Sequence, residues 1–130
     1  MDITRAQDRT GQRGSEEWFT GKVWLEEIAE ASTRLRAHRV TFSPGARTAW
    51  HTHPLGQALE VVSGRARIGL PNVTVEVLSA GDVVWFDPDE WHWHGAAADG
   101  PMVHLALQEA ADDGTEAAWG DHVTDDEYDR

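Results

Sequence analysis

Glycine and proline interrupt this chain at short, fairly even intervals, at Gly45, Pro54, Gly56, Gly64, Gly69, Pro71, Gly81, Pro88, Gly95, Gly100 and Pro101. Little room is left between them for helices of ordinary length. The intervening runs are rich in Val, Ile, Leu and Trp, the pattern of an all-β sandwich or barrel. Strands are expected at residues 22–27, 35–42, 58–62, 66–70, 73–78, 83–86 and 103–108, within the usual length range for strands. At 130 residues the chain is long enough for one domain with its own core. That core is expected over about residues 18–110, with residues 1–15 and 112–130 reading as arms outside it.

Composition narrows the possible functions. There are no cysteines, which removes disulfides, thiolate metal sites and thiol nucleophiles and fits a reducing compartment. The first ten residues are polar and no apolar run approaches membrane-span length, so a cytoplasmic protein is expected. Acids outnumber basic residues 23 to 11, for a formal charge of −12. Phosphate backbones and anionic membranes would be repelled, so the expected partner is a small molecule, with no nucleic acid and no membrane. The acidic run from Glu109 to Asp129 reads as solvated surface.

Five of the seven histidines lie in three places: His51-Thr-His53, His92-Trp-His94 and His104. His51 and His53 are two apart and point the same way from an extended chain. Gln57 follows a Pro-Leu-Gly turn, and His92 enters from a distant hairpin. Three imidazoles and a carboxamide oxygen can thus converge on one ion with coordination positions left open. Imidazole suits Fe, Mn, Ni, Co, Cu and Zn, and the amide oxygen favours the harder members. Two expected strands carry odd faces. One presents Arg36, His38, Val40 and Phe42; the other presents His104, Ala106 and Gln108, opposite Val103, Leu105 and Leu107. Alternation alone would bury the apolar face. A barrel wide enough for a ligand can turn the small, polar face inward, and the histidine motif favours that choice.

The spacing Gly45-(five)-His51-Thr-His53-(three)-Gln57-(six)-Gly64, followed by Gly81-(five)-Asp87-(four)-His92, resembles the two motifs of the cupin superfamily. The resemblance covers roughly Val40 to Leu107 and implies a small antiparallel β-barrel of the jelly-roll kind. Cupins place their metal on two His and a Glu from the first motif and a His from the second. Gln57 stands here in the Glu position, and Asp87 and Asp89 depart from the usual Pro and Gly. A finer resemblance is to the metal-dependent monocupin hydroxynitrile lyases. It rests on Trp18-Phe-Thr-Gly21, the segment from Phe42 to Gln57, Gly81 to Phe86, His92-Trp-His-Gly-Ala96, His104 to Glu109 and His122-Val-Thr-Asp. In those enzymes an ion of the Mn type sits on three His and one Gln, and a late-strand His does acid–base work.

The expectations that follow are specific. His51, His53, Gln57 and His92 hold a divalent metal, Mn first, with Fe, Ni, Co or Zn also compatible. His104 is the acid–base residue, His38 a second acid–base or cyanide-orienting group, and Gln108 a hydrogen-bond donor or acceptor to substrate. Val40 and Phe42 form an apolar wall, with His94 either in the same cavity or bonded to a backbone carbonyl. Four neutral ligands leave the ion its full charge, which strengthens it as a Lewis acid and disfavours a higher oxidation state. That favours a non-redox lyase over a dioxygenase, and the resemblance to the hydroxynitrile lyases implies reversible cleavage of a cyanohydrin to an aldehyde and HCN. The alternatives are a quercetinase-like Mn or Fe dioxygenase, an isomerase or decarboxylase step on a carbonyl compound, and a non-enzymatic binding cupin. Arg47 reads as a structural ion-pair residue, His122 as surface, and Trp50, Trp85, Trp91 and Trp93 as core or interface aromatics. The family tendency to pair through sheet edges, with Trp24 on a candidate edge strand, implies a homodimer or homotetramer.

Overall fold

A computed structural model describes residues 1–29 and 34–130. Its strands are β1 (Gly11–Arg13), β2 (Phe19–Thr20), β3 (Val23–Ala29), β4 (Leu35–Phe42), β5 (Arg47–Thr48), β6 (His51–Thr52), β7 (Gln57–Ser63), β8 (Arg65–Gly69), β9 (Glu76–Ser79), β10 (Val83–Phe86), β11 (Trp93–Ala96), β12 (Met102–Glu109) and β13 (Ala118–Trp119). A short helix, α1 (Asp125–Asp129), closes the chain. All strand pairs are antiparallel, in a six-stranded sheet ordered β1-β3-β4-β12-β7-β10, a five-stranded sheet ordered β2-β5-β11-β8-β9, and the pair β13-β6. Val40, Phe42, Leu59 and Val61 of the large sheet meet Ala66, Ile68 and Ala96 of the smaller one in a shared core. This is the expected antiparallel β architecture in one small domain. Among the described residues no helix is long and apolar enough to cross a membrane.

The strand expected at 73–78 begins later, at Glu76, because the chain first turns through Asn72, whose φ is 59°. Strand β11 was not expected. All four of its residues are buried, so it lacks the alternation that marks a half-exposed strand.

Strand β12 lies between β4 and β7 and decides the character of the interior. His104, Ala106 and Gln108 are buried, whereas Val103 and Leu105 are half-buried and Leu107 is exposed. The small and polar face points inward and the aliphatic face outward. Register carries this along the sheet: His104 sits between Val40 and Val61, and Gln108 between Arg36 and Gln57.

Both terminal arms are folded onto the barrel rather than standing apart from it. β1 extends the large sheet beside β3, and β13 pairs with the strand that begins at His51. Beyond β13 the chain is latched through buried Arg47, which donates to the Val123 carbonyl at 2.9 Å and pairs with Asp125 at 2.7 Å. The Tyr128 ring lies between the Arg47 and Arg67 guanidinium groups, at 4.8 and 4.7 Å, and its hydroxyl donates to the Ala96 carbonyl at 2.7 Å. A reciprocal capping box between Thr124 and Glu127 starts α1. Arg47 thus has the structural role expected of it. Removing the buried Tyr128 ring forfeits packing, two cation–π contacts and a hydrogen bond. Tyr128→Ala is expected to lower unfolding stability by about 3 kcal/mol in a urea titration, with Tyr128→Phe costing about 1 kcal/mol.

Candidate metal centre and active-site cavity

His51 and His92 exchange both backbone hydrogen bonds, His51 N to His92 O at 2.9 Å and His92 N to His51 O at 3.0 Å. Their rings lie 4.3 Å apart as a result. His53, two residues on, is turned to the same side, 5.1 Å from His51. Gly56 lets the chain turn back between His53 and Gln57: its φ is +80°, and a Cβ there would lie 2.7 Å from the Phe86 carbonyl oxygen. Gln57 then opens β7 opposite Phe86, whose ring stacks on His92 at 3.7 Å.

The ring nitrogens are sorted by their partners. His51 Nδ1 lies 3.0 Å from the Ala49 carbonyl, His53 Nδ1 2.6 Å from that of Glu116, and His92 Nδ1 2.8 Å from that of Glu90. A carbonyl only accepts, so each Nδ1 carries the proton and each Nε2 keeps a lone pair. These three histidines offer ligand atoms within 4.8 Å of one another. His53 Nε2 is buried with no partner. His92 Nε2 faces Gln57 Oε1 at 3.2 Å, and both are acceptors in this protonation state. Two facing lone pairs at this distance suit neighbouring ligands of one cation, which would draw both atoms to itself. Gln57 is turned this way because its Nε2 donates to Gln108 Oε1 at 3.1 Å. Three neutral imidazoles and an amide oxygen fit a divalent metal, and Gln108 fixes the amide. Burial pushes the His51 and His53 imidazoles below their ordinary range and His92 down to about 3. All three therefore stay neutral, as ligands must.

Beside this cluster lies a cavity of about 390 Å³. His51, His53 and Gln57 line it, with His38, Val40, Phe42, His94, His104 and Gln108. His92 is fully buried but does not line it. His94 thus belongs to the cavity, and its Nδ1 lies 3.1 Å from His104 Nε2. The other nitrogens of this pair, His94 Nε2 and His104 Nδ1, are buried without partners. Burial lowers His94 strongly and His104 to about 4, so both are neutral bases at pH 7. His38 is half-buried at the cavity edge, paired across strands with Glu27. His122 is exposed, with Nδ1 3.4 Å from Thr20 Oγ1. Trp18, Phe19, Thr48, Glu116 and Trp119 also line the cavity. Spacing arguments missed them, because they reach it from the two terminal segments and from a two-residue strand.

A cupin domain profile matches residues 38–107. The chain is a cupin. A protein of Granulicella tundricola named (R)-mandelonitrile lyase is 46% identical to this cupin over 132 aligned residues, covering all of both chains. The crystal structure of a cupin-like protein from Thermotoga maritima, 37% identical, matches with a TM-score of 0.84 over 98% of this chain and 95% of that one. A cupin 2 conserved barrel domain protein from Rhodopseudomonas palustris shares the fold at 17% identity, with a TM-score of 0.72 over 92% and 80% of the two chains.

Keeping His104 neutral ties stability to pH. Its folded value of about 4 lies below the unfolded value of 6.5. The unfolded chain then binds more protons than the folded one between those values, so stability is complete above pH 6.5 and lost as pH falls toward 4. In chelator-treated protein, unfolding stability is expected to drop by roughly 2 kcal/mol more between pH 7 and pH 5 in wild type than in His104→Gln. Equal losses in the two proteins would place the proton uptake elsewhere.

Proposed function

We propose that this cupin is a metal-dependent lyase that cleaves and forms cyanohydrins, interconverting them with an aldehyde and HCN. The observation that carries this reading is a buried, neutral His104 lining the same cavity as His51, His53 and Gln57, with His92 buried behind Gln57 Oε1 as the fourth neutral donor. The full-length similarity to a protein named (R)-mandelonitrile lyase supports it. His51, His53, Gln57 and His92 would hold the ion, Mn first, with Fe, Ni, Co or Zn as alternatives. A divalent ion with four neutral donors supplies Lewis acidity for charge developing on oxygen.

The chain's own residues handle the proton. His104 accepts the cyanohydrin hydroxyl proton as the bond to the nitrile carbon breaks. The oxygen electrons become the carbonyl π bond, the C–C electrons leave with cyanide, and His104 returns the proton to give HCN. His94, whose Nδ1 lies 3.1 Å from His104 Nε2, holds that ring in place. Gln108 holds the Gln57 amide, and His38 at the cavity edge is the second polar group available to cyanide. Val40 and Phe42 exclude water from the reacting bond. No oxidant is consumed, in keeping with a ligand set that disfavours a higher metal oxidation state.

The protein is also proposed to act in the cytoplasm as a homodimer or a dimer of dimers. The outward face of the large sheet leaves Trp24, Val83 and Trp85 respectively 46%, 64% and 57% exposed, and these are the apolar side chains a partner copy would cover. Sedimentation at micromolar concentration is expected to give at least the dimer mass; a clean monomer refutes this part.

Mandelonitrile cleavage, followed by benzaldehyde absorbance, is expected to be enantioselective, lost with chelator and restored by Mn. His104→Ala should keep its metal and lose about 10²–10⁴-fold in kcat. Metal-loaded wild type with no turnover, or a variant with near-full turnover, would sink the assignment.

A further inference from the structure

Glu116, Ala117 and Trp119 form part of the cavity wall, and a tight turn just before them sets their path. Ala111 N donates to the Thr115 carbonyl at 2.8 Å, and Gly114 N to the Ala111 carbonyl at 2.9 Å. Gly114 makes the reversal possible with a φ of +85°. Thr115 N donates to Asp113 Oδ1 at 2.9 Å, which closes the turn from the side-chain side.

Glu116 leaves this turn with two separate contacts. Its carbonyl accepts from His53 Nδ1 at 2.6 Å, and its carboxylate pairs with Arg36 Nε at 3.0 Å. Arg36 lies opposite Gln108 in the sheet, and Gln108 in turn holds the Gln57 amide. The ion pair therefore ties the C-terminal segment to the part of the large sheet that positions Gln57. Three residues on, Trp119 pairs in register with His51 and lies over its ring at 4.7 Å. One short stretch thus touches two of the four donors. His51 and His92 find their Nδ1 partners in the carbonyls of Ala49 and Glu90, two residues away along the chain. His53 has no such local partner and relies on Glu116. Groups that orient a ligating histidine through its other nitrogen commonly govern how tightly the metal is held.

We propose that Glu116 is a positioning residue for the metal: its ion pair with Arg36 clamps residues 116–119 onto His53, and opening of that clamp sets the rate at which metal leaves. The proposal rests on the three-histidine, one-glutamine site and not on the lyase reading. Charge alone gives a different pattern. Removing the Glu116 carboxylate would weaken the hold on a dipositive ion, but removing the Arg36 guanidinium would strengthen it. A clamp loosens whichever partner is lost.

The test loads Co(II) into the purified full chain and follows its release to excess EDTA by the visible absorption of the bound ion. Glu116→Gln and Arg36→Gln are each expected to release Co(II) about tenfold faster than wild type. The double variant should be no faster than either single one, because both remove the same contact. Arg36→Lys, which keeps the cation, should stay within about threefold of wild type. Metal-free melting temperatures should change little, since the Arg36 and Glu116 side chains are 29% and 37% exposed and such pairs add little to stability. Slower release from Arg36→Gln, additive effects in the double variant, or unchanged release from Glu116→Gln overturns the clamp while leaving the metal site standing. Faster release that only tracks a lower metal-free melting temperature also overturns it. A wild type that takes up neither Co(II) nor Mn(II) overturns the metal site and the clamp together.

Discussion

His51 and His92 share a pair of backbone hydrogen bonds that joins two sequence-distant motifs into one cluster. The rest of the centre is arranged around it. At each of these positions the imidazole Nδ1 meets the carbonyl two residues earlier, Ala49 for His51 and Glu90 for His92. The same local backbone that makes the bridge therefore also sets the tautomer, and both Nε2 lone pairs are free of competition. His53 differs, since its carbonyl comes from Glu116 in the C-terminal segment. The third imidazole is oriented only when that segment is docked, which links the Arg47 and Tyr128 latch to the histidine cluster.

Much of this was legible in the sequence because the spacing has a direct geometric meaning. A two-residue interval puts His51 and His53 on one side of an extended chain, and the Pro-Leu-Gly turn returns Gln57 to them. The inward choice for His104, Ala106 and Gln108 was harder. Periodicity alone favours burying Val103, Leu105 and Leu107, and only the histidine motif argued for the opposite. The structure has the polar face inside because the barrel encloses a cavity there, and a cavity wall needs hydrogen-bonding groups more than it needs hydrocarbon.

The terminal segments were not legible, and the reason is physical. β1, β2 and β13 are two or three residues long, too short for alternation to register. Their stability comes from partners far along the chain: Trp119 opposite His51, Phe19 opposite Thr48, Tyr128 between two arginines. An acidic, tail-like composition over residues 112–130 hides two such contacts, because one buried Tyr and one Val suffice to dock it. The abundance of tryptophan was the available signal. Seven indoles in 130 residues exceed what a small core needs, and two of them, with Phe19, wall the cavity.

The carboxamide at position 57 explains why the neighbouring groups have the character they do. An amide offers one acceptor side and one donor side, and Gln108 Oε1 takes the donor. Only the oxygen can then face His92, so the pairing of β7 with β12 at Gln57 and Gln108 decides the donor atom. A carboxylate would need no such partner to present oxygen. It would also bring negative charge among imidazoles that burial already keeps neutral. With an amide, all four donors at the centre are uncharged, and the carboxylate that lines the cavity, Glu116, is paired with Arg36, so a dipositive ion there would keep most of its charge for one that forms on the substrate. With an ion in place, a donor set of this kind would bind an anionic oxygen more tightly than a neutral one, the difference that the proposed reaction needs. The neutral His104 completes the same design: it can take a proton from a hydroxyl without first having to lose one of its own.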